Sequence, residues 1–173
     1  NAKDGRVLKS VQLTLDANTL FATQTDIRKQ VLELLGWQIP KELAEQFTAQ
    51  KPQLDGAYKH YLAGQGYLYR FDHGNNIENA LNAFQAAIDL DPNYADAYAS
   101  LAQAQLRQFV ETKDVTLLTP LKLSIYQLKK VKPKHRLLNY LQGELALKQG
   151  DYQQAVNLFN QTISLTKSFS IAH

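Results

Sequence analysis

The amino-acid sequence predicts an all-α protein: an antiparallel helix-hairpin solenoid, winding as a superhelix, with a short N-terminal strand and helix extension. Three observations carry that prediction. NIENALNAFQAAIDL (76–90) lies over DYQQAVNLFNQTISL (151–165) at an offset of 75 residues, apolar on apolar. Both segments set their large side chains at three-and-four spacing, which draws one stripe along a helix. LDPNYADAY (90–98) and QGDY (149–152) each stop one such pattern and start another within a few residues.

The overlay matches Ile77, Ala80, Leu81, Phe84, Ile88 and Leu90 with Tyr152, Ala155, Val156, Phe159, Ile163 and Leu165. A small Ala beside a large Phe lets a neighbouring helix come close at one point and be filled at the next. An offset of 75 is two units of about 34 plus about seven extra residues, and ~34 is the period of a stacked helix-turn-helix repeat. Leu121, Ile125 and Leu128 supply the stripe of the middle unit, in which Leu121 takes the place of the small residue. Pro133 follows Pro92 by 41 residues, so the insertion belongs to this unit, at FVETKDVTLLTP (109–120). A first helix precedes each stripe: 57–71, 95–109 and 136–150, with Gly64, Ala102 and Gly143 as the small residues where it passes its partner. Pro92 cannot donate an amide hydrogen bond and disfavours a helical Asp91, so one helix ends there and the next begins over Tyr94–Tyr98.

The first fifty residues read differently. RVLKSVQLTL (6–15) alternates Val7, Val11, Leu13 and Leu15 onto one side, a strand pattern. A lone strand needs a partner, which makes this segment a route to self-association. A helix follows, with Asn18 or Thr19 as N-cap, Leu20, Ile27, Val31 and Leu34 on one stripe, and Gly36 as its stop. IPKELAEQF (39–47) then predicts a second helix with Pro40 in its first turn and Leu43 and Phe47 buried. Residues 1–53 are thus expected to be an extension, and 54–173 about three helical hairpins. The sequence has no methionine and opens on Asn1-Ala2, which reads as a tag remnant on an excerpt of a longer chain, the extension being what is left of an upstream α/β domain.

Composition sets limits on chemistry. At 173 residues and 45% apolar the chain can bury a core, and no run is long and apolar enough for a membrane span. Nineteen basic against sixteen acidic side chains give a net charge of +3, too even to indicate a polyanion partner. Without cysteine there is no thiolate chemistry. His60, His73, His135 and His173 lack metal-ligand spacing, and Asp89 and Asp91 lack the remaining ligands of a calcium loop. GQG (64–66) lies inside a helical pattern, where close packing is expected rather than phosphate binding. Asn160-Gln161-Thr162 is a formal glycosylation sequon on a helix expected to be packed. No nucleophile, base or paired-carboxylate arrangement appears, so no enzyme activity and no cofactor are expected. KKVKPKHR (129–136) is the strongest charge feature; it is expected to be a solvated turn, without interleaved aromatics for base stacking, and no nucleic-acid binding is assigned.

The small residues of the first helices, the Ala80/Phe84 and Ala155/Phe159 pairs, QGDY and LDPNYADAY together resemble the tetratricopeptide repeat family, over roughly Leu54 to His173. The resemblance implies a non-catalytic module that binds a protein or peptide. TLFATQTDIRKQVLELLGW is similar to the helix that joins a small α/β domain to such repeats in bacterial signalling proteins. Among these are membrane-anchored regulators of the CadC type and repeat regions following kinase or cyclase modules. That likeness implies a regulatory parent protein, periplasmic in the first case and cytoplasmic in the second, with ligand sensing as the alternative role. In the family's stacked array the first helices line a concave side, which would place Tyr61, Gln65, Tyr69, Gln103, Arg107, Tyr140, Glu144 and Lys148 there. The Lys and Asn of a chaperone-tail clamp are absent from these positions.

Overall fold

Periodicity of this kind folds only if each stripe finds another helix, and the way these stripes meet sets the architecture. The computed structural model describes residues 20–37, 55–70 and 75–170, with side chains described from 24 to 165 within them. Among the described residues seven α-helices lie in the order α1 (Leu20–Leu35), α2 (Asp55–Leu68), α3 (Asn76–Leu90), α4 (Ala95–Thr112), α5 (Leu118–Val131), α6 (Leu138–Gln149) and α7 (Tyr152–Ser170), with a 3-10 turn at Val115–Leu117. α2/α3, α4/α5 and α6/α7 form hairpins; α3 on α4 and α5 on α6 join them in series, and α1 sits against α2. No strand occurs among the described residues. The segments read as a strand (6–15) and as a second extension helix (39–47) lie outside them.

The hairpins close as their small residues require. A Cβ on Gly64 would fall 2.5 Å from the Phe84 ring, and one on Gly143 would fall 2.7 Å from that of Phe159. Glycine inside a helix costs about 1 kcal/mol relative to alanine. Here the cost is offset by burial of a whole phenylalanine, since Phe84 has no exposed surface. In the middle hairpin Ala102 shares a core with Leu121, Ile125 and Leu128, so a leucine on the second helix is accommodated by an alanine on the first. Gly66 has no neighbour near its Cβ position, so only Gly64 of the GQG sequence serves close packing.

α4 is the centre of the array because it buries two faces. Ala97, Leu101 and Ala104 pack with Ala57, Tyr58, Ala80, Phe84 and Tyr94 on one side. Ala95, Ala99, Ala102 and Leu106 pack with α5 and α6 on the other. This double burial is why the segment is alanine-rich; larger residues would push one neighbour away. α4 also runs to Thr112, past the expected end at 109, and stops where Lys113 turns left-handed (φ 58) and returns its amide to the Phe109 carbonyl. The inserted residues therefore form an extra helical turn and the 3-10 turn, where Asp114 accepts from the Thr116 amide and hydroxyl. Those bonds hold the Asp114 carboxyl below its ordinary range.

Five expectations need correction. α2 ends at Leu68 rather than 71, its last carbonyls taken by Tyr69 and by Arg107. Lys129 and Lys130 belong to the last turn of α5 rather than to a turn between helices, and α6 starts at Leu138 because 132–137 fold around a buried His135. Leu90, Tyr152, Val156, Ile163 and Leu165 of the matched stripes are exposed, since α7 packs only on α6 among the described helices and Leu90 ends α3. Val31 of the α1 stripe is exposed as well.

The Gly64–Phe84 contact yields a prediction. Phe84→Ala should cost about 3–5 kcal/mol and Gly64→Ala about 1–3 kcal/mol in urea denaturation. The double variant should lose clearly less than the sum, because the ring that the new methyl meets is gone. Additive losses would show that the two residues do not touch.

Candidate functional site

Residues one repeat apart meet across the hairpins. Tyr58 donates to Gln24 Oε1 over 34 positions, Gln65 Nε2 donates to Ser100 Oγ at 2.6 Å over 35, and Arg107 Nη1 donates to the Leu68 carbonyl at 2.7 Å over 39. His135 Nε2 lies 3.0 Å from Asp96 Oδ1, again over 39. Successive first helices are thereby held side by side, and they enclose a cleft of about 290 Å³ between α1, α2, the start of α4 and the turn before α6.

Tyr58, Tyr61, Leu62 and Tyr94 form the apolar part of this cleft. The Tyr61 ring stacks on Tyr58 at 6.1 Å and tilts against Tyr94 at 5.1 Å and Phe84 at 6.0 Å, so it is both core and wall. Gln24, Arg28, Gln65, Asp96 and Arg136 supply polar groups. Burial pushes the Tyr61 hydroxyl up to about 12; Asp96 adds to this, while the Ser100 hydrogen bond and the Arg136 cation oppose it. Tyr94 is raised further for the same first reason, and Tyr58 is raised by burial against the opposing Arg28 charge. At neutral pH these tyrosines are un-ionised hydroxyls that donate and accept.

His135 and Asp96 fix one corner. The Leu137 amide donates to His135 Nδ1 at 3.2 Å, which assigns the ring proton of the neutral imidazole to Nε2, facing Asp96. Both ring nitrogens are thus committed, and the pair is a structural tie from α4 to the next hairpin rather than part of a metal site. Among the described residues no group of three or more His, Cys, Asp or Glu could hold an ion.

Of the residues placed on the concave side from the sequence, Tyr61 and Gln65 line the cleft. Tyr69 lies just past α2 and is 72% exposed. Gln103 is half-buried on α4; Arg107 is engaged with Leu68 and Glu111 and acts as a brace. Tyr140 packs on Phe159 at 6.2 Å, and Glu144 pairs with Lys148 at 3.8 Å, both along α6 and outside the cleft. Gln24, Arg28, Tyr58, Leu62, Tyr94, Asp96 and Arg136 were missed. A signal for several of them existed: Arg28, Leu62 and Asp96 are spaced by 34 residues, one repeat, as are Gln24 and Tyr58.

Residues 73–108 match the family model described as TPR repeat, and residues 138–169 match the one described as tetratricopeptide repeat. The first match spans α3 and most of α4, the second nearly all of α6 and α7. Together with the all-helical array they support a tetratricopeptide repeat family. Such repeats are typically non-catalytic protein-protein interaction modules. No curated protein matches the chain in sequence.

The tyrosine burial sets a pH dependence. Above the ordinary value of 10.0 the unfolded chain loses the Tyr61 proton while the folded chain holds it up to about 12. The folded state then binds more protons, so stability should fall as pH rises from about 10 to about 12. Urea denaturation at stepped pH should show a shallower decline for Tyr61→Phe than for the wild type. Parallel declines would place the hydroxyl in solvent.

Proposed function

We propose that the chain is a protein-interaction module whose cleft between α1, α2, α4 and the α5–α6 turn receives a peptide segment of its partner. The observation that carries this reading is the mixed lining, three ordered tyrosines flanked by Gln24, Gln65, Asp96 and two arginines. Tyrosines supply contact area with little rotamer entropy to lose, and buried aromatic and arginine anchors carry most of an interface's energy. Tyr61 and Gln65 are the binding residues shared by the sequence reading and the cleft. Tyr69, Gln103, Arg107, Tyr140, Glu144 and Lys148 lie outside the cleft and are proposed only as secondary contacts for a longer partner segment. The likeness of 19–37 to linker helices of bacterial regulators supports placing the module in a larger regulatory protein. A small-ligand sensory role is the second reading, favoured by the cleft volume, which sits at the lower end of small-molecule sites (~300 Å³).

A random peptide library selected on the wild-type chain tests the leading reading. Selected peptides should bind Arg136→Ala and Gln65→Ala at least ~10-fold more weakly, a loss of about 1.4 kcal/mol each, with melts little changed. Peptides that bind these variants as well as the wild type would move the docking surface away from the cleft.

A further inference from the structure

From Val115 to Gly143 the sequence contains no acidic residue and six basic ones: Lys122, Lys129, Lys130, Lys132, Lys134 and Arg136. Six of the nineteen basic side chains lie here with none of the sixteen acidic ones, so the rest of the chain is net negative by three. The fold gathers most of this charge on one surface. α5 buries Leu121, Ser124, Ile125 and Leu128. On the opposite side, at i, i+3 and i+7, stand Leu123, Tyr126 and Lys130, with Lys122 and Lys129 along one edge and Lys134 in the turn that follows. Leu123 is 58% exposed and Tyr126 61%. In the linear run 129–136 no aromatic is interleaved, but the helix sets Tyr126 one turn from Lys122, Lys129 and Lys130. Among the described residues no carboxylate pairs with any of the five lysines.

We propose that this outer face of α5 is a peripheral docking surface for an anionic lipid bilayer. The charge selects an anionic partner, and the apolar residues choose among such partners. Leu123 and Tyr126 can enter the headgroup boundary while the lysines extend to lipid phosphates on flexible stems. Nucleic acid is the weaker fit: this face offers one ring, no series of stacking platforms, and no arginine for bidentate phosphate contact, since Arg136 lines the cleft instead. None of Lys122, Leu123, Tyr126, Lys129, Lys130 and Lys134 lines the cleft, so docking leaves the cleft open. Among the described residues no helix is long and apolar enough to cross a membrane.

The test is co-sedimentation of the purified chain with vesicles of phosphatidylcholine, with and without about one third phosphatidylglycerol. The wild type should sediment with the anionic vesicles only, and raising salt to about 0.5 M should release it. Lys122→Gln, Lys129→Gln, Lys130→Gln and Lys134→Gln together should lower partitioning by ~100-fold or more. Leu123→Ser with Tyr126→Ser, charges intact, should lower it by ~10-fold. Circular dichroism melts should match the wild type for both. Equal sedimentation with neutral vesicles, or none with either, would overturn the proposal. So would anionic binding that ignores the Leu123 and Tyr126 changes and is displaced by duplex DNA, which would show a general polyanion surface.

Discussion

Close approach of paired helices is the constraint on which the rest of this structure depends. It is set at two points by glycine against phenylalanine, Gly64 with Phe84 and Gly143 with Phe159. A narrow hairpin cannot cover its own outer stripe, so it must stack, and stacking brings α2 and α4 into direct contact through Gln65 and Ser100. Short turns keep the order strictly sequential. At the turn after α3, Asp91 accepts from the Asn93 amide at 3.0 Å and the Tyr94 amide returns to the Asp91 carbonyl, so a proline that ends one helix also aims the next.

Function follows from what stacking leaves over. Helices set side by side bring polar and aromatic residues of α1, α2 and the start of α4 to a common edge, and that edge is the cleft. Its tyrosines are half structural: the Tyr61 ring that lines it also packs on Phe84 and Tyr94. For the proposed peptide site, this internal packing of the tyrosine rings lowers the ordering cost of binding. The tie of His135 to Asp96 serves the same end, fixing the turn that carries Arg136 over the cleft.

Much of the fold was legible in the sequence because a repeat states its pattern more than once. The Ala80/Phe84 stripe, its copy at Ala155/Phe159, Pro92 and Gly64 all read correctly from spacing. What did not read is whatever depends on a neighbour. A stripe predicts burial only where another helix lies against it, so Val156 and Ile163 matched the pattern and yet are exposed. Helix ends moved where long-range contacts decide them, as Arg107 does for α2 and the buried His135 does for α6. The cleft was half legible for the same reason: period analysis places Tyr61 and Gln65 on a face, but not Asp96 and Arg136 beside them. The 34-residue spacing of Arg28, Leu62 and Asp96 held that information in a form that shows only when the stacking is known.

Side-by-side stacking of α2 and α4 is the central claim, and the absence of cysteine makes it directly measurable. Gln65 Nε2 and Ser100 Oγ meet at 2.6 Å across the two hairpins. Cysteine is shorter than glutamine, so the double variant Gln65→Cys with Ser100→Cys sets two thiols a short gap apart, within the span of a short thiol-to-thiol crosslinker, in an otherwise thiol-free chain. A short thiol-to-thiol crosslinker such as dibromobimane, at low protein concentration, should link the two within one molecule in most molecules, seen as a faster-migrating monomer on a denaturing gel that neither single variant gives, with a melting temperature at or above that of the unlinked form. Thiols that stay free, or that link only between molecules, would contradict the stacking and with it the cleft.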